Sequence, residues 1–486
     1  MTAVNAKSPA IVAMSKAWDI IDPLMAGTAA MRDAKESLLP RFPSEDVVSW
    51  QTRIKQATLF PAFRRTVMVM SGKPFSKALV LSEDTPPEIE EWAKDIDCEG
   101  VNLHSFASEM MTETLASGLA GILVEAPKPV GTVTGRPPTK AEQMAAGVRP
   151  YWVRIKHRQI LGWRTEKTNG RARLTQLRLA EAAEVDDGDF GTKTVQRVRV
   201  LTPGAYAIYE EQEKVGTTEK DWVKVEDGPT SLTEIPFVPL YGFRKAFMEG
   251  ESPLLDLAYM NIKHWQKQSD LDTIEHCACV PILLAAGFDE GDAIAVGAST
   301  AIKTSNADAK VEWVELQGAS IGEAKKSMEA LEDQMIQAGA ELLVKKPGNR
   351  TATEASNDAE ANKSDLQRIT ETFEDALDTA LKFTAQYGGL QTSGCITLYK
   401  DFGASLLSDA SAQLVQSIQQ GGLISKATAI RELQRRGMLS GDIDPEDELE
   451  LVANEGTPLG DMQDPAYANA EDETKEPSGP SDEVIG

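Results

Sequence analysis

Residues 321–387 constrain the fold most, because they encode two amphipathic helices separated by a broken polar loop. The apolar pattern of the first helix stops at residues 345–350, where Pro347 removes a helical hydrogen-bond donor and Gly348 permits positive φ. Before that break, small or apolar residues recur at alternating spacings of three and four, which is typical of one helix face: Ile321, Ala324, Met328, Leu331, Met335, Ala338 and Leu342. The stretch therefore predicts a helix, a loop and a second helix.

The second helix has two halves of different character. Thr351 is a suitable N-cap, and Glu354 three residues later can complete a capping box, so we predict a helix over residues 354–387. Its apolar stripe begins only at Leu366. A helix start without an apolar face gains little from packing within its own subunit, so we expect it to border solvent or a partner.

The remaining chain predicts an α+β protein. Residues 1–126 are mainly helical with a buried strand at 119–124, and residues 151–243 contain short alternating segments typical of strands, with Asn169-Gly170 as a hairpin turn. A helix is predicted over 252–279 with Ser252 as its cap, followed by a compact insert of mixed structure over 280–314. A strand at 396–402 and helices at 406–419, 426–436 and 445–453 follow, and the residues from 454 onward have the composition of a disordered tail.

The negative charge is concentrated near the C-terminus. The formal net charge is −25, of which residues 442–486 carry −14 and the preceding residues −11. A moderately acidic body argues against tight, sequence-reading DNA binding, which depends on Lys and Arg neutralising phosphates, but it is compatible with a wall past which DNA slides. We find no signal peptide and no apolar run of about 20 residues that would span a membrane, which predicts a protein made and used in a cytoplasm without membrane contact.

The usual catalytic motifs are missing from the sequence. It contains no phosphate-binding Gly-x4-Gly-Lys-Ser/Thr loop, no Gly-x-Ser-x-Gly elbow and no His-Glu-x-x-His zinc helix, so we predict no enzyme activity and no cofactor. The cluster His276, Cys277 and Cys279 is the nearest approach to a metal or thiol site. An alternative interpretation is therefore a cytosolic thiol- or metal-dependent hydrolase, although two semi-buried structural thiols explain the same residues.

Three cations crowd the loop, and two interpretations stay open for them. Lys345, Lys346 and Arg350 can offset the negative end of the preceding helix dipole. Repeated around a ring, the same residues would form a positive collar facing phosphates. The sequence alone favours the local explanation.

The segment Arg350-Thr351-Ala352-Thr353-Glu354, followed by a long polar helix, resembles the tunnel loop and following helix of portal proteins of tailed bacteriophages. Two further segments are also similar to segments of the family's wing: Tyr151-Trp152-Val153 and Glu234-Ile235-Pro236-Phe237-Val238-Pro239. The module order is similar over nearly the whole chain. The resemblance implies a mixed α/β wing at 1–250 with the strand at 395–402 returning to it, a first stem helix at 251–280, a clip at 281–320, a second stem helix at 321–344, a tunnel loop at 345–353, a long helix at 354–387, a helical crown at 405–453 and an acidic tail at 454–486.

What the resemblance implies is a homododecameric ring at one capsid vertex, through which double-stranded DNA is packaged, retained and later ejected. The DNA-channel residues would be those of the tunnel loop, namely Lys345, Lys346, Asn349, Arg350, Thr351, Thr353 and Glu354. Implied partners are the terminase large subunit, the major capsid protein, a head-completion or tail adaptor protein and DNA bound without sequence readout, with a scaffold protein as a further candidate. The implied location is the virion, after assembly in the host cytoplasm. Another head-tail joining ring protein is the second alternative.

One expectation concerns the ring interface. The residues that we expect a single subunit to leave uncovered on the first stem helix are Leu254, Leu255, Ile262 and Trp265.

Overall fold

A computed structural model of the chain describes residues 3–127, 147–213, 220–278, 282–287, 308–314, 319–343, 363–400, 402, 419, 425–435, 439 and 443–454. The chain forms two compact units, Met1–Lys400 and Asp401–Gly486. The first unit combines helices with antiparallel sheets, which confirms the α+β class. Which segments act as wing, clip and crown stays a prediction.

Helices dominate the beginning of the first unit. Asp46 caps α3, where its Oδ1 accepts the N–H groups of Val48 and Ser49 at 2.9 Å. The Asp46 carboxylate lies where both free N–H groups can reach it, which fixes the start of the helix. The helices are α1 (Pro9–Ala26), α2 (Thr28–Asp33), α3 (Val47–Gln56), α4 (Ala62–Gly72), α5 (Pro87–Trp92) and α6 (Leu103–Ser117).

Two antiparallel sheets follow, one of three strands in the order β3-β2-β9 and one of five in the order β4-β5-β6-β7-β8. The predicted turn is confirmed: Asn169 and Gly170, both with positive φ, join β4 to β5. The strands are β1 (Val80–Leu81), β2 (Leu119–Glu125), β3 (Tyr151–Ile155), β4 (Ile160–Thr168), β5 (Arg171–Asp187), β6 (Gly191–Thr202), β7 (Ala205–Glu213), β8 (Lys220–Pro229), β9 (Phe237–Tyr241), β10 (Phe243–Ala246) and β11 (Glu249–Glu251).

The core of the first unit lies where α1 meets both sheets. Ile11 and Trp18 of α1 pack with Leu123 of the three-stranded sheet and Leu177 of the five-stranded sheet, and all four are at most 1% exposed. The Trp18 indole donates a hydrogen bond to the Ser117 carbonyl at 2.9 Å. Burial of these side chains is the main stabilising term at this junction, at roughly 1.5–3 kcal/mol for each large apolar side chain.

Three long helices complete the first unit. They and their connecting strands are α7 (Leu255–Ala278), β12 (Ile282–Ala286), β13 (Lys310–Val314), α8 (Ala319–Ala340) and α9 (Asp365–Gly388). A 3-10 turn, Glu341–Leu343, follows α8 directly. The helix predicted over 354–387 does not continue through Ser364, which is extended and caps α9 in a capping box with Gln367. Residues 354–362 lie outside the described residues.

The strand predicted at 396–402 is shorter than expected. Only β14 (Ile396–Thr397) forms, and it pairs with β1 rather than with either larger sheet. Side chains of α9 take up the neighbouring backbone donors instead: Asp378 accepts from the Ile396 N–H at 2.7 Å and Glu374 from the Leu398 N–H at 2.6 Å.

The second unit contains α10 (Lys426–Arg435) and α11 (Pro445–Asn454), which match two of its three predicted helices. The third, at 406–419, lies outside the described residues except for its last position.

Candidate functional site: the helix pair and its connecting loop

Helices α7 and α8 form an antiparallel pair. Three side-chain contacts join them: His264 Nε2 lies 3.0 Å from Glu332 Oε1, Lys267 Nζ lies 2.7 Å from Ser327 Oγ, and Lys325 Nζ lies 2.8 Å from Glu275 Oε1. Position numbers rise along α7 as those of their partners fall along α8, which fixes the antiparallel direction. The polar half of α7 therefore faces a helix of the same chain.

The end of the pair away from the sheets carries a β-hairpin. Strands β12 and β13 are antiparallel, with Ile282 opposite Val314 and Ala286 opposite Lys310. Leu284 and Val311 on this hairpin are exposed. The hairpin belongs to the segment predicted as a clip, most of which lies outside the described residues.

Buried polar side chains anchor α7 to the N-terminal helices. Asn261, fully buried, accepts from the Phe63 N–H and donates to the Phe60 carbonyl, both at 2.9 Å, and so fixes the start of α4. Arg53 of α3 donates to Glu45 at 2.9 Å and to Asp270 of α7 at 3.0 Å. Because the Arg53 side chain is 5% exposed, removing its carboxylate partners would leave a buried charge uncompensated, so these contacts hold the base of the pair.

Burial raises the pKa of Asp270, an effect that the charge of Arg53 opposes and that of Glu45 reinforces. The same arrangement lowers the pKa of Glu45: burial alone would raise it, but the Arg53 hydrogen bond and the Phe42 N–H outweigh that effect. Arg53 thus serves two carboxylates with opposite pKa shifts.

The described residues on either side of the predicted tunnel loop lie close together. Leu342 and Leu343 are buried at the end of α8, and the turn that holds them contacts α9, whose first residues Ser364 and Leu366 are also buried. All the predicted channel residues lie outside the described residues: Lys345, Lys346, Asn349, Arg350, Thr351, Thr353 and Glu354. Their assignment stays a prediction.

Helix α9 is fixed to the sheets and the following strand. Thr384 accepts a hydrogen bond from the Trp152 indole at 2.7 Å, and Glu374 forms an ion pair with Lys400 at 2.7 Å. Phe373, Leu377 and Leu381 are fully or almost fully buried. The loop base is therefore as firmly held as the helix pair.

The apolar residues expected to stay open on α7 are mostly covered. Leu254 and Trp265 are 2% and 1% exposed, whereas Leu255 and Ile262 are half-buried. The exposed apolar side chains of the helix pair are others: Tyr259, Ile274 and Ile336. The sequence could not separate these sets, since both occur in apolar helical patterns.

The metal or thiol interpretation finds no support in the described residues. His276 is exposed near the end of α7, the Cys277 side chain and Cys279 lie outside what the structure describes, and no three His, Cys, Asp or Glu residues within the described ranges are grouped as metal ligands. Within those ranges, no helix is both long and apolar enough to cross a membrane.

Sequence reasoning missed Asn261, His264 and Arg53 as structural anchors. The available signal is the set of polar residues on α7, which the sequence alone does not separate from a solvent-facing surface.

Comparison with known proteins gives one family match and several solved structures. Residues 253–388 match a family described as a domain of unknown function, DUF4055, which covers α7 to α9. No curated protein matches.

Three solved structures are similar to the chain, each at 12% identity. One is the neck of an empty GTA particle computed with C6 symmetry, with a TM-score of 0.38, covering 76% of this chain and 88% of that one. The second is the virion of a native gene transfer agent particle, with a TM-score of 0.37, covering 84% and 98%. The third is the neck of a native GTA particle computed with C12 symmetry, with a TM-score of 0.38, covering 85% and 99%.

Proposed function

We propose that this chain is a portal-type connector protein, which forms a ring at one capsid vertex and lets double-stranded DNA pass through its channel during packaging and ejection. The observation that carries the proposal is the antiparallel pair α7–α8, with a hairpin insert at one end and a loop with a buried base at the other. Portal proteins, which the sequence resembles, have the same order: a stem helix, a clip, a second stem helix and a tunnel loop.

The fixed loop base suits a channel element. Leu343 and Ser364, on either side of the predicted tunnel loop, are buried in the body. The loop cations Lys345, Lys346 and Arg350 would touch phosphates weakly and without base readout, as a sliding duplex requires. Packaging energy would come from a separate terminase.

Ring formation needs two different surfaces that meet head to tail. The exposed side chains Tyr259, Ile274 and Ile336 on the helix pair are candidates for one of them. In this proposal the ring is a homododecamer located in the virion, in contact with capsid and tail-adaptor proteins.

The first experiment measures the mass of the purified full-length protein by mass photometry, together with negative-stain imaging. We expect ring-shaped particles of about a dozen chains, a closed assembly of the cyclic kind. A protein that stays monomeric at micromolar concentration, with or without added salt or scaffold protein, would contradict the proposal.

The second experiment tests the channel assignment. Changing Lys345, Lys346 and Arg350 together to Ala should leave rings intact but reduce DNA packaging, or cause leakage from particles that assemble normally. The matched control changes three exposed cations of the body, Lys7, Lys16 and Lys55, to Ala. If the loop variant loses rings while surviving particles package DNA normally, the loop cations belong to a subunit interface.

A further inference from the structure

A large cavity in the first unit lies apart from the helix pair. It has a volume of about 1090 Å³ and opens between the two sheets and the C-terminal end of α9. Its size is at the upper end of the range of ligand pockets in proteins. Apolar side chains such as Leu123, Ile208 and Leu390 line part of it.

Aromatic rings and a carboxylate gather in one part of this cavity. Glu88 and Trp92 are four residues apart on α5, so both point to one side of that helix, and Tyr151 and Tyr387 line the cavity from β3 and the end of α9. Trp92 packs directly on Gly388, since a Cβ there would lie 2.8 Å from the indole ring. The indole is thereby placed next to Tyr387.

Several polar groups here have no partner in the part of the chain that the structure describes. Among the described residues, none forms a hydrogen bond or ion pair with the Glu88 carboxylate, the Trp92 indole N–H or the Tyr387 hydroxyl. By contrast, the Tyr151 hydroxyl donates to Glu125 at 2.9 Å. The free Glu88 carboxylate together with aromatic rings in one cavity suits a ligand with a cationic group.

The arginines that line the cavity are already engaged. Arg199 forms ion pairs with Glu125 and, at 2.6 Å, with Glu181. Arg149 is bound to the Asp95 carboxylate at 2.9 Å. An anion entering the cavity would have to compete with these carboxylates, whereas a cation meets the unpaired Glu88.

We propose that this cavity binds an organic cation, an ammonium or guanidinium group on an apolar chain, with Glu88 as the counter-ion and Trp92, Tyr151 and Tyr387 as the aromatic wall. The same chemistry can come from a Lys or Arg side chain of a protein segment or from a free amine. The proposal does not depend on ring formation.

The test uses full-length protein and calorimetric titration with three probes of similar length: butylguanidinium, butylammonium and butyrate. We expect both cations to bind and butyrate not to bind. Glu88→Gln should weaken cation binding by about tenfold or more, the scale expected when a charge-assisted contact is lost. Tyr387→Leu, which keeps apolar bulk but removes the ring face, should weaken it as well.

Glu90→Gln is the matched control. Glu90 lies in the same first turn of α5 but is exposed and outside the cavity, so a general effect of charge at the helix end would change both variants equally. Circular dichroism and thermal unfolding would establish that each variant is folded. Equal loss in the two Glu variants, binding of butyrate comparable to that of the cations, or no cation binding to the folded protein would overturn the proposal.

A second pair of probes distinguishes the two possible sources of the cationic group. A short peptide with one Arg between apolar residues represents a protein segment, and spermidine represents a free amine. Tighter, Glu88-dependent binding of the peptide would support a protein ligand, and tighter Glu88-dependent binding of spermidine would support a free amine. Failure of both would count against the site.

Discussion

At the residue scale, His157 is the clearest pH-sensitive group. Its Nδ1 lies 2.6 Å from Glu113 of α6 and its Nε2 2.9 Å from Asp22 of α1, while Arg158 beside it pairs with Asp19 and Asp22. Burial favours the neutral imidazole, but the hydrogen bonds and charges of Asp22 and Glu113 outweigh it and raise the pKa of His157. The protonated ring therefore joins α1 to α6.

This shift predicts a pH-dependent stability. A raised folded-state pKa means that the contribution is complete below the unfolded value of about 6.5 and is lost as pH rises through the folded pKa. His157→Gln should lower the free energy of unfolding by about 1–3 kcal/mol at low pH and by less above the folded pKa. Urea unfolding from pH 5.5 to 9 measures this, with the exposed His276→Gln as control. A constant difference across that range would show that His157 acts through packing alone.

At the element scale, the crossing of α8 over α4 depends on Gly339. A Cβ at this position would lie 2.9 Å from the Thr66 side chain, whereas a Cβ at Gly322 on the same helix meets nothing within 4 Å. Gly339→Ala should therefore be less stable than Gly322→Ala by about 1–3 kcal/mol, the usual cost of overpacking, although both gain helix propensity. Thermal and urea unfolding measure the difference. Adding Thr66→Ala should remove most of it, and the lack of such a rescue would place the strain elsewhere.

At the scale of the whole molecule, the acidic C-terminus should be dispensable for assembly. Residues 454–486 have little apolar sequence and much of the net negative charge. Ending the chain after Ala453 should leave the number of subunits in the oligomer and the unfolding temperature unchanged, or should favour assembly by reducing repulsion between subunits. Mass photometry at low and high salt measures this. Loss of the oligomer on truncation would show that the tail takes part in the interface.

Local patterns were sufficient for most elements of the first unit. Helix α6 and strand β2 lie in the stretches predicted as helical and as a buried strand, and Asn169-Gly170 forms the predicted turn. These features depend on neighbours in sequence, such as the Asn102 side chain that accepts the Ser105 N–H. The two long helices and the insert between them were also expected.

Only the tertiary structure decided which polar groups are buried and where the cavity lies. Asn261 and His264 are indistinguishable from surface residues in the sequence, yet they are buried because α4 and α8 pack over them. Glu88 and Tyr387 are almost three hundred positions apart, and they line one cavity because α9 returns to the sheets beside α5. The sequence by itself determined local elements, since capping, turns and periodicity act over a few residues. Packing between distant elements determined the burial and the cavity, because desolvation depends on every segment that covers a side chain.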